Sequence, residues 1–339
     1  MAVPKIYYKL KKYIPRRTQL FLRRQMVRGQ RRLYGKMWPI DESAKARPAF
    51  WQGWPEQKKF ALVLTHDVDT AKGVANCKKL MVLELLLGFR SSFNFVPERY
   101  PVPAELRHEL TANGFEVGVH GLNHDGALYS SREIFRSRAK LINKYIEEWQ
   151  AAGFRSPSMH HELDWIHDLN IEYDASTFDT DPFEPQSDGV STIFPFWVHN
   201  GSPEVGYVEL PYTLPQDFTL FVLMGQQNID IWRTKLDWLA ANGGMVLVNV
   251  HPDYMNFSKR EKRLEEYPAR YYQQFLEYIK ERYDGQYWHV LPREMAGLIS
   301  RKIKQSRWNE TTAAVESEQV YPEGWGYAHM EEHLAPVAK

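Results

Sequence analysis

The sequence contains a single cysteine, Cys77, among 339 residues, so no intrachain disulfide can form. Disulfide frameworks are typical of exported proteins, and nothing here supports one. No apolar run reaches about 18 residues, so we expect no transmembrane helix. The N-terminus also lacks the apolar core and the small-residue cleavage site of a secretory signal. Together these absences predict a cytoplasmic protein.

Acidic residues are absent from the first 40 positions, where basic residues are frequent. Apolar residues recur among them at spacings near four and seven, which predicts a basic amphipathic arm over residues 1–37. One interpretation is docking to an anionic membrane surface at the inner face, at about 1 kcal/mol per basic residue. The alternative is a solvated helix that packs against the domain. No basic stripe continues beyond the arm, so we expect no nucleic acid partner.

Apolar runs of strand length alternate with amphipathic helical segments from about residue 60 onward. This alternation predicts repeated βαβ units and a parallel sheet. Seven or eight such units would close into a TIM-like (β/α) barrel. We therefore divide the chain into the basic arm, an irregular lead-in, the barrel and a poorly ordered polar tail, at residues 1–37, 38–57, 58–304 and 305–339.

Polar side chains follow several of the predicted strands at the point where each strand ends. They are Asp67 and Asp69, His120 and His124, Arg155, Asp174 and His251. The carboxyl ends of parallel strands meet at one edge of a barrel, and chemistry is usually located there. We therefore expect these side chains to converge on a single site.

Two of these residues, His120 and His124, are four positions apart, so both imidazoles can face one metal ion. As a pair they are equally compatible with two loop histidines in solvent. Two histidines and one carboxylate form a common catalytic zinc shell, which leaves positions open for water and substrate. His251 suits proton transfer, because its unperturbed pKa is about 6.5. Arg155 either holds a carboxylate by a bidentate pair or bridges surface loops.

Four short motifs resemble those of the polysaccharide deacetylase family, the NodB homology domain of carbohydrate esterases. They are Thr65-His66-Asp67-Val68-Asp69, His120-Gly121-Leu122-Asn123-His124, Arg155-Ser156-Pro157 and Val248-Asn249-Val250-His251. The resemblance covers about residues 58–295 and leaves the arm and the tail unaccounted for. It implies an irregular barrel and a divalent metal, usually Zn²⁺, with Co²⁺ or Ni²⁺ as alternatives.

The resemblance also implies a role for each matched residue. Asp69, His120 and His124 correspond to the metal ligands, Asp67 to the catalytic base, Arg155 to the residue that orients this base, and His251 to the general acid. The roles of Asp67 and Asp69 could be exchanged, because Val68 separates two carboxylates that are adjacent in the family.

Other departures from the family pattern concern the surroundings of the site. His66 replaces an aromatic residue and is a candidate metal ligand or supporting donor. Asp174 and Asp253 are candidates for a supporting role only. Gly121 replaces a hydroxyl residue that usually supports the second histidine. The family's later aspartate motif has no clear counterpart, and three residues are candidates for it, namely Asp174, Asp179 and Asp181.

The function implied by the resemblance is hydrolysis of an N-acetyl, or less readily O-acetyl, group on a sugar or glycan. With the basic arm, it suggests a lipid-linked substrate in surface-polysaccharide synthesis. Two alternatives stay open. The protein could hydrolyse another non-peptide C–N bond in a ureide or an imide, or it could be an inactive member that binds a glycan or a membrane.

Overall fold

The computed structural model describes residues 14–35, 37–49, 51–186, 188–202, 204–258 and 263–316, the last 11 of these (306–316) by their backbone. The helices are α1 (Arg16–Tyr34), α2 (Ala71–Leu87), α3 (Ala104–Ala112), α4 (Arg132–Trp149), α5 (Leu163–Ile166), α6 (Asp230–Asn242), α7 (Arg270–Tyr283) and α8 (Pro292–Glu316). The strands are β1 (Phe60–Val68), β2 (Ser92–Phe95), β3 (Glu116–His120), β4 (Gly153–Arg155), β5 (Tyr173–Asp174), β6 (Phe196–His199), β7 (Gly206–Glu209), β8 (Met245–Val250), β9 (Met255–Asn256), β10 (Tyr267–Pro268) and β11 (Tyr287–His289). A π-helix covers Phe218–Leu223.

The central strand is β1, whose nine residues are all buried. It pairs in parallel with β8 on one side, and with β2 and β11 on the other. A strand enclosed in this way must be apolar on both faces, which explains the uncharged run at its start. The run turns polar only where the strand reaches the carboxyl edge of the sheet.

The main sheet has nine strands in the order β11-β1-β2-β3-β4-β5-β7-β6, with β8 on the free side of β1. All pairs are parallel except β6 with β7, which is antiparallel. The chain after β7 approaches β8, where the backbone N–H groups of Thr213 and Leu214 donate to Leu247 O at 3.1 and 3.3 Å. The predicted irregular barrel is confirmed. Strand β6 lies at the edge of the sheet, next to β7.

Helix α2 follows β1 and covers the outer face of the barrel. The side chain of Thr70 caps its first turn by accepting from Lys72 N, and the helix ends at Gly88, whose φ of 82° is left-handed. Successive side chains of a strand point to opposite faces. Thr65 and Asp67 therefore point into the barrel, whereas His66 points outward to α2.

Helix α1 confirms that the basic segment is helical. Its inward residues Leu20 and Val27 are buried, and two side chains bind the barrel loops. Arg24 Nε donates to Val222 O at 3.0 Å, and Gln30 Nε2 donates to Pro182 O at 3.1 Å. Residues of α1 therefore pack against the barrel, whereas residues 1–13 lie outside the described part of the chain.

At the other end of the chain, α8 extends to Glu316, beyond the predicted start of the polar tail at residue 305. The rest of the predicted tail, residues 317–339, lies outside the described residues. Within the described ranges, no helix is both long and apolar enough to cross a membrane.

Candidate metal centre

The candidate metal centre lies at the carboxyl ends of β1 and β3. Asp69 directly follows β1, His120 is the last residue of β3, and His124 lies in the turn beyond it. This turn needs glycine at position 121, where φ is 65° and an added Cβ would lie 2.4 Å from Pro157 Cγ. The glycine that replaces the expected hydroxyl residue is therefore required by close packing of the two motifs.

Three potential ligand atoms of these residues lie within 4.8 Å of one another. Asp69 Oδ1 is 3.4 Å from His120 Nε2 and 3.1 Å from His124 Nε2. This oxygen is buried and accepts no hydrogen bond of normal geometry from any described residue. His120 Nδ1 donates to Arg155 O at 3.0 Å, which leaves the lone pair of Nε2 directed at the same point. The donor set therefore fits a small divalent cation.

The charge on Asp69 is stabilised by the two imidazoles. Burial by itself would raise the pKa of this carboxyl, but His124 and His120 outweigh it and hold the pKa well below its usual value. The other carboxylate oxygen, Oδ2, accepts from Tyr254 OH at 3.3 Å, and Asp69 N donates to Asp253 Oδ2 at 2.9 Å. Asp253 therefore binds the backbone of Asp69, and Tyr254 is a further contact of Asp69 that the sequence analysis does not include.

Asp67 is directed to the same cleft but has a different set of partners. Its two oxygens accept from Asn94 Nδ2 at 3.0 Å and from Asn249 Nδ2 at 2.7 Å. Burial opposes the charge, while His120 and Arg155 lower the pKa of Asp67 below its usual value. A carboxylate held by two neutral amides keeps its charge and a fixed orientation.

Arg155 lies inside the barrel and is only 1% exposed. Its Nε is 3.7 Å from Asp67 Oδ1, and none of its guanidinium nitrogens has a hydrogen-bond partner among the described residues. Both predictions for its contacts, a bidentate pair and a bridge between surface loops, are therefore wrong. Burial places this cation where it acts on Asp67 through its charge.

His251 follows β8 and is held by a carboxylate that the sequence did not single out. Its Nδ1 lies 2.7 Å from Asp217 Oδ1, and its backbone N–H donates to Asp217 Oδ2 at 2.8 Å. Burial opposes protonation, but Asp217 outweighs it and raises the pKa of His251 to about 10. Asp217 is therefore the carboxylate that holds His251 in place.

The three candidates for the later aspartate motif are bound elsewhere. Asp174 accepts from Ser176, Asp179 pairs with Lys235 at 2.6 Å, and Asp181 accepts from Tyr212 OH at 3.3 Å. The signal that could have identified Asp217 is its position in the loop after β7, beside the strand that ends at His251.

His66 is also not at the metal centre. Its Nε2 lies 2.9 Å from Glu84 Oε1, on the outer face of the barrel under α2. The strand's alternation directs it away from Asp67 and Asp69, so its predicted role as ligand or supporting donor is wrong.

The metal centre opens into a cleft of about 1050 Å³. Its floor includes Asp67, Asp69, His120, His124 and His251, and one wall is formed by helix α1. Such a cleft is large enough for a sugar and a substituent attached to it.

No protein-family model matches the chain, and no curated protein matches its sequence. Several solved structures are similar to it. A putative polysaccharide deacetylase from Mycobacterium smegmatis aligns with a TM-score of 0.58 at 17% identity, covering 76% of this chain and 95% of that one. A probable polysaccharide deacetylase from Pseudomonas aeruginosa PAO1 aligns with a TM-score of 0.55 at 14% identity, covering 72% and 91%.

An allantoinase is similar to the same degree, with a TM-score of 0.55 at 16% identity over 76% of this chain and 96% of the other. At these identities the likeness concerns the fold. The chain has the fold of the polysaccharide deacetylases, which confirms at this level the resemblance seen in the four motifs.

Proposed function

We propose that the protein is a metal-dependent deacetylase that hydrolyses an acetyl group on a sugar or glycan, with N-acetyl preferred over O-acetyl. The observation that carries this proposal is the convergence of Asp69 Oδ1, His120 Nε2 and His124 Nε2 within 4.8 Å, at the floor of an open cleft. The polysaccharide deacetylase fold supports it.

Asp69, His120 and His124 are the proposed ligands. When bound, a divalent cation, most simply Zn²⁺ with Co²⁺ or Ni²⁺ as alternatives, lowers the pKa of water and polarises a carbonyl group. The two separate carboxylates are assigned by their partners. Asp69 Oδ1 faces both imidazoles, whereas the oxygens of Asp67 accept from Asn94 and Asn249.

Asp67 is the proposed base that takes the proton from the attacking water. The two amides fix its orientation, and the buried Arg155, 3.7 Å away, favours the charged form before the reaction. General base catalysis of this kind typically contributes about 10²–10⁴-fold to the rate.

His251 is the proposed acid that donates a proton to the departing amine. Asp217 accepts from its Nδ1, so the Nε2–H of the protonated ring is free to act as the donor. The raised pKa of about 10 keeps the ring protonated at neutral pH, as an acid for an amine leaving group requires.

The test is acetate release from N-acetylated and O-acetylated sugars and glycans, after chelation and after return of Zn²⁺, Co²⁺ or Ni²⁺. We expect release only with metal, and a large loss in Asp67→Asn. A protein that binds the metal but releases no acetate from any of these substrates would contradict the proposal. A protein that binds no metal would support the inactive, ligand-binding alternative.

A second candidate is hydrolysis of a cyclic ureide, which the similarity to an allantoinase favours. The same base, acid and metal ligands could act on such a C–N bond. Allantoin and related imides therefore belong in the same assay. Turnover of these compounds without acetate release would replace deacetylation as the function.

We also propose that the protein acts at the cytoplasmic face of a membrane, in surface-polysaccharide synthesis. The outward face of α1 exposes Arg17, Arg28 and Arg32 beside the apolar Phe21, and the helix contains no acidic residue. Changing the three arginines to glutamine should weaken sedimentation with phosphatidylglycerol vesicles by about 1 kcal/mol for each residue. Unchanged sedimentation, or equal binding to neutral phosphatidylcholine vesicles, would reject the membrane role.

A further inference from the structure

Helix α1 is part of the active-site cleft as well as a surface helix. Arg23 lies on the side of α1 that faces the cleft and is half-buried there. Its guanidinium lies over the ring of Phe218, 4.8 Å from the ring centre. This contact holds the group in place and leaves its N–H donors available for an acceptor in the cleft.

Arg23 differs from the other basic residues that line the cleft in having no protein acceptor. Arg16 pairs with Glu265, Lys72 pairs with Glu266 at 2.8 Å, and Arg99 donates to His124 O at 3.4 Å. Arg23 forms no ion pair or hydrogen bond with any residue that the structure describes. It lies over Phe218 and acts on Glu184 through its charge.

The acidic residue Glu184 lines the same cleft but is engaged elsewhere. Its Oε1 accepts from Tyr212 OH and from Gln216 Nε2, both at 2.7 Å. Burial raises the pKa of Glu184, and the hydrogen bond from Tyr212 and the charge of Arg23 oppose this rise. Arg23 is thus a half-buried cation with no ion-pair or hydrogen-bond partner among the described residues, and it lies in the cleft that also holds the reacting groups. Such a cation is suited to bind an anionic part of the substrate.

The same wall carries apolar side chains. Leu22 and Met26 line the cleft one turn apart and are 41% and 39% exposed. Exposed apolar side chains next to a cationic group favour binding of an amphiphilic ligand over binding of a purely polar glycan.

We propose that α1 is the wall that recognises the substrate, with Arg23 binding a phosphate group attached to the acetylated sugar and with Leu22 and Met26 contacting a hydrocarbon chain beyond it. This inference rests on the proposed function and specifies its substrate as a lipid-linked sugar phosphate. The metal centre would hold the acetyl end and Arg23 the phosphate end, so the two contacts together set the orientation of the sugar.

The test of Arg23 is direct binding by calorimetry to the full-length, zinc-loaded protein that carries Asp67→Asn, in which turnover of the probes is lost. The probes are N-acetylglucosamine 1-phosphate and the neutral methyl glycoside of N-acetylglucosamine. We expect Arg23→Gln to weaken binding of the phosphate probe about 10–100-fold and to leave the neutral probe unchanged, since a hydrogen bond to a charged group is lost. Arg23→Lys should retain part of the affinity. Arg31→Gln, an exposed change on the same helix outside the cleft, is the matched control and should have no effect.

A decyl phosphodiester of the same sugar tests the hydrocarbon contact. We expect it to bind at least about tenfold more tightly than the free sugar phosphate, because apolar area is buried. The gain should disappear in the double variant Leu22→Ser with Met26→Ser and persist in Leu33→Ser, an exposed position outside the cleft. Equal binding of the decyl phosphodiester and the free sugar phosphate, with Leu22 and Met26 unchanged, would overturn the lipid-linked assignment and point to a soluble sugar phosphate.

Binding is measured without turnover, so failure of this inference differs from failure of the proposed function. Acetate release with no preference for the phosphate probe, or the same preference in Arg23→Gln, would overturn the role of Arg23 and leave the deacetylase standing. Binding that depends on Arg23 without acetate release would support the recognition wall and contradict the deacetylase.

Discussion

Two buried carboxylate–imidazole groups lie on opposite faces of the same strand, and they differ in what surrounds them. Inside the barrel, Asp69 faces His120 and His124 at 3.4 and 3.1 Å, and its Oδ1 accepts no hydrogen bond from a described residue. Outside the barrel, Glu84 faces His66 at 2.9 Å. The first group opens into a cleft, whereas the second is sealed under α2.

In the sealed group the carboxylate contacts three polar side chains, whereas His66 Nδ1 has no hydrogen-bond partner among the described residues. Glu84 accepts from Ser91 Oγ at 2.6 Å and from Tyr272 OH, in addition to its contact with His66. Burial opposes its charge, but His66 and these donors hold its pKa below the usual 4.5. A low pKa is therefore common to both groups and does not identify the site. The candidate metal centre differs from the structural pair in its access to the cleft and in Asp69 Oδ1, which accepts no hydrogen bond from a described residue.

The largest effect is expected from Asp69→Asn. It replaces an anionic ligand by a neutral amide, so zinc affinity should fall by more than the about 10–100-fold seen when an outer partner of a ligand is lost. Deacetylation should fall to background at the same zinc concentration. Competition with a chelator measures the affinity, and acetate release measures the activity.

The matched control for this change is Asn94→Ala, which removes a donor to Asp67 and leaves the three ligands intact. It should lower activity but retain zinc. Full zinc affinity in Asp69→Asn would mean that Asp67 is the ligand and that the roles of the two carboxylates are exchanged.

Breaking the sealed group should give the opposite pattern. Glu84→Gln removes one partner of a buried ion pair, which typically costs about 3–5 kcal/mol of stability. Zinc affinity and kcat should stay near those of the wild type, because the pair faces away from the cleft. Urea unfolding measures the stability. A loss of activity in folded Glu84→Gln would show that the outer group supports the site after all.

The comparison also explains what could be predicted from the sequence. The strand–helix alternation identified the barrel, because a fully buried parallel strand needs an uninterrupted apolar run such as the one at Phe60. The polar residues after the strands identified the floor of the site, since parallel strands end at one edge. The motif predicts a role for His66 at the site because His66 directly precedes Asp67 in sequence. Alternation along β1 instead directs its side chain to the face opposite to Asp67 and Asp69.

Other contacts depend on distances that a sequence does not contain. Asp217 reaches His251 from a loop 34 positions away, and Asn94 reaches Asp67 from the next strand. The position of α1 over the cleft depends on packing of Leu20 and Val27 against the barrel. Amphipathic periodicity predicts that such a helix buries one face, but not which surface it covers.

The Asp217–His251 pair is intermediate between the two groups, because its carboxylate is saturated while its imidazole faces the cleft. Asp217→Asn should lower kcat about 10–100-fold with little change in KM or zinc affinity, as only part of the general acid effect is lost. The pKa of His251 is about 10 because of Asp217, so the alkaline limb of the kcat profile should move to lower pH in the variant. An unchanged alkaline limb would show that His251 is not the proton donor.

The smallest effect concerns the acid dependence of stability. The pKa of Glu84 is lower in the folded than in the unfolded protein, so its contribution is present above pH 4.5 and is lost as the pH falls through the folded value. Glu84→Gln should therefore lose stability less steeply than the wild type below pH 4.5, and the two slopes should differ by at most about 1.4 kcal/mol per pH unit.

The control is Glu42→Gln, because the pKa of Glu42 is also lowered, by a hydrogen bond from Lys45, but on the exposed surface. Urea unfolding from pH 6 to pH 3 compares the three proteins, and the Glu42 variant should follow the wild type because solvent screens its pair. Parallel slopes for the Glu84 variant and the wild type would show that folding does not lower the pKa of Glu84, so the sealed pair would not stabilise its charge.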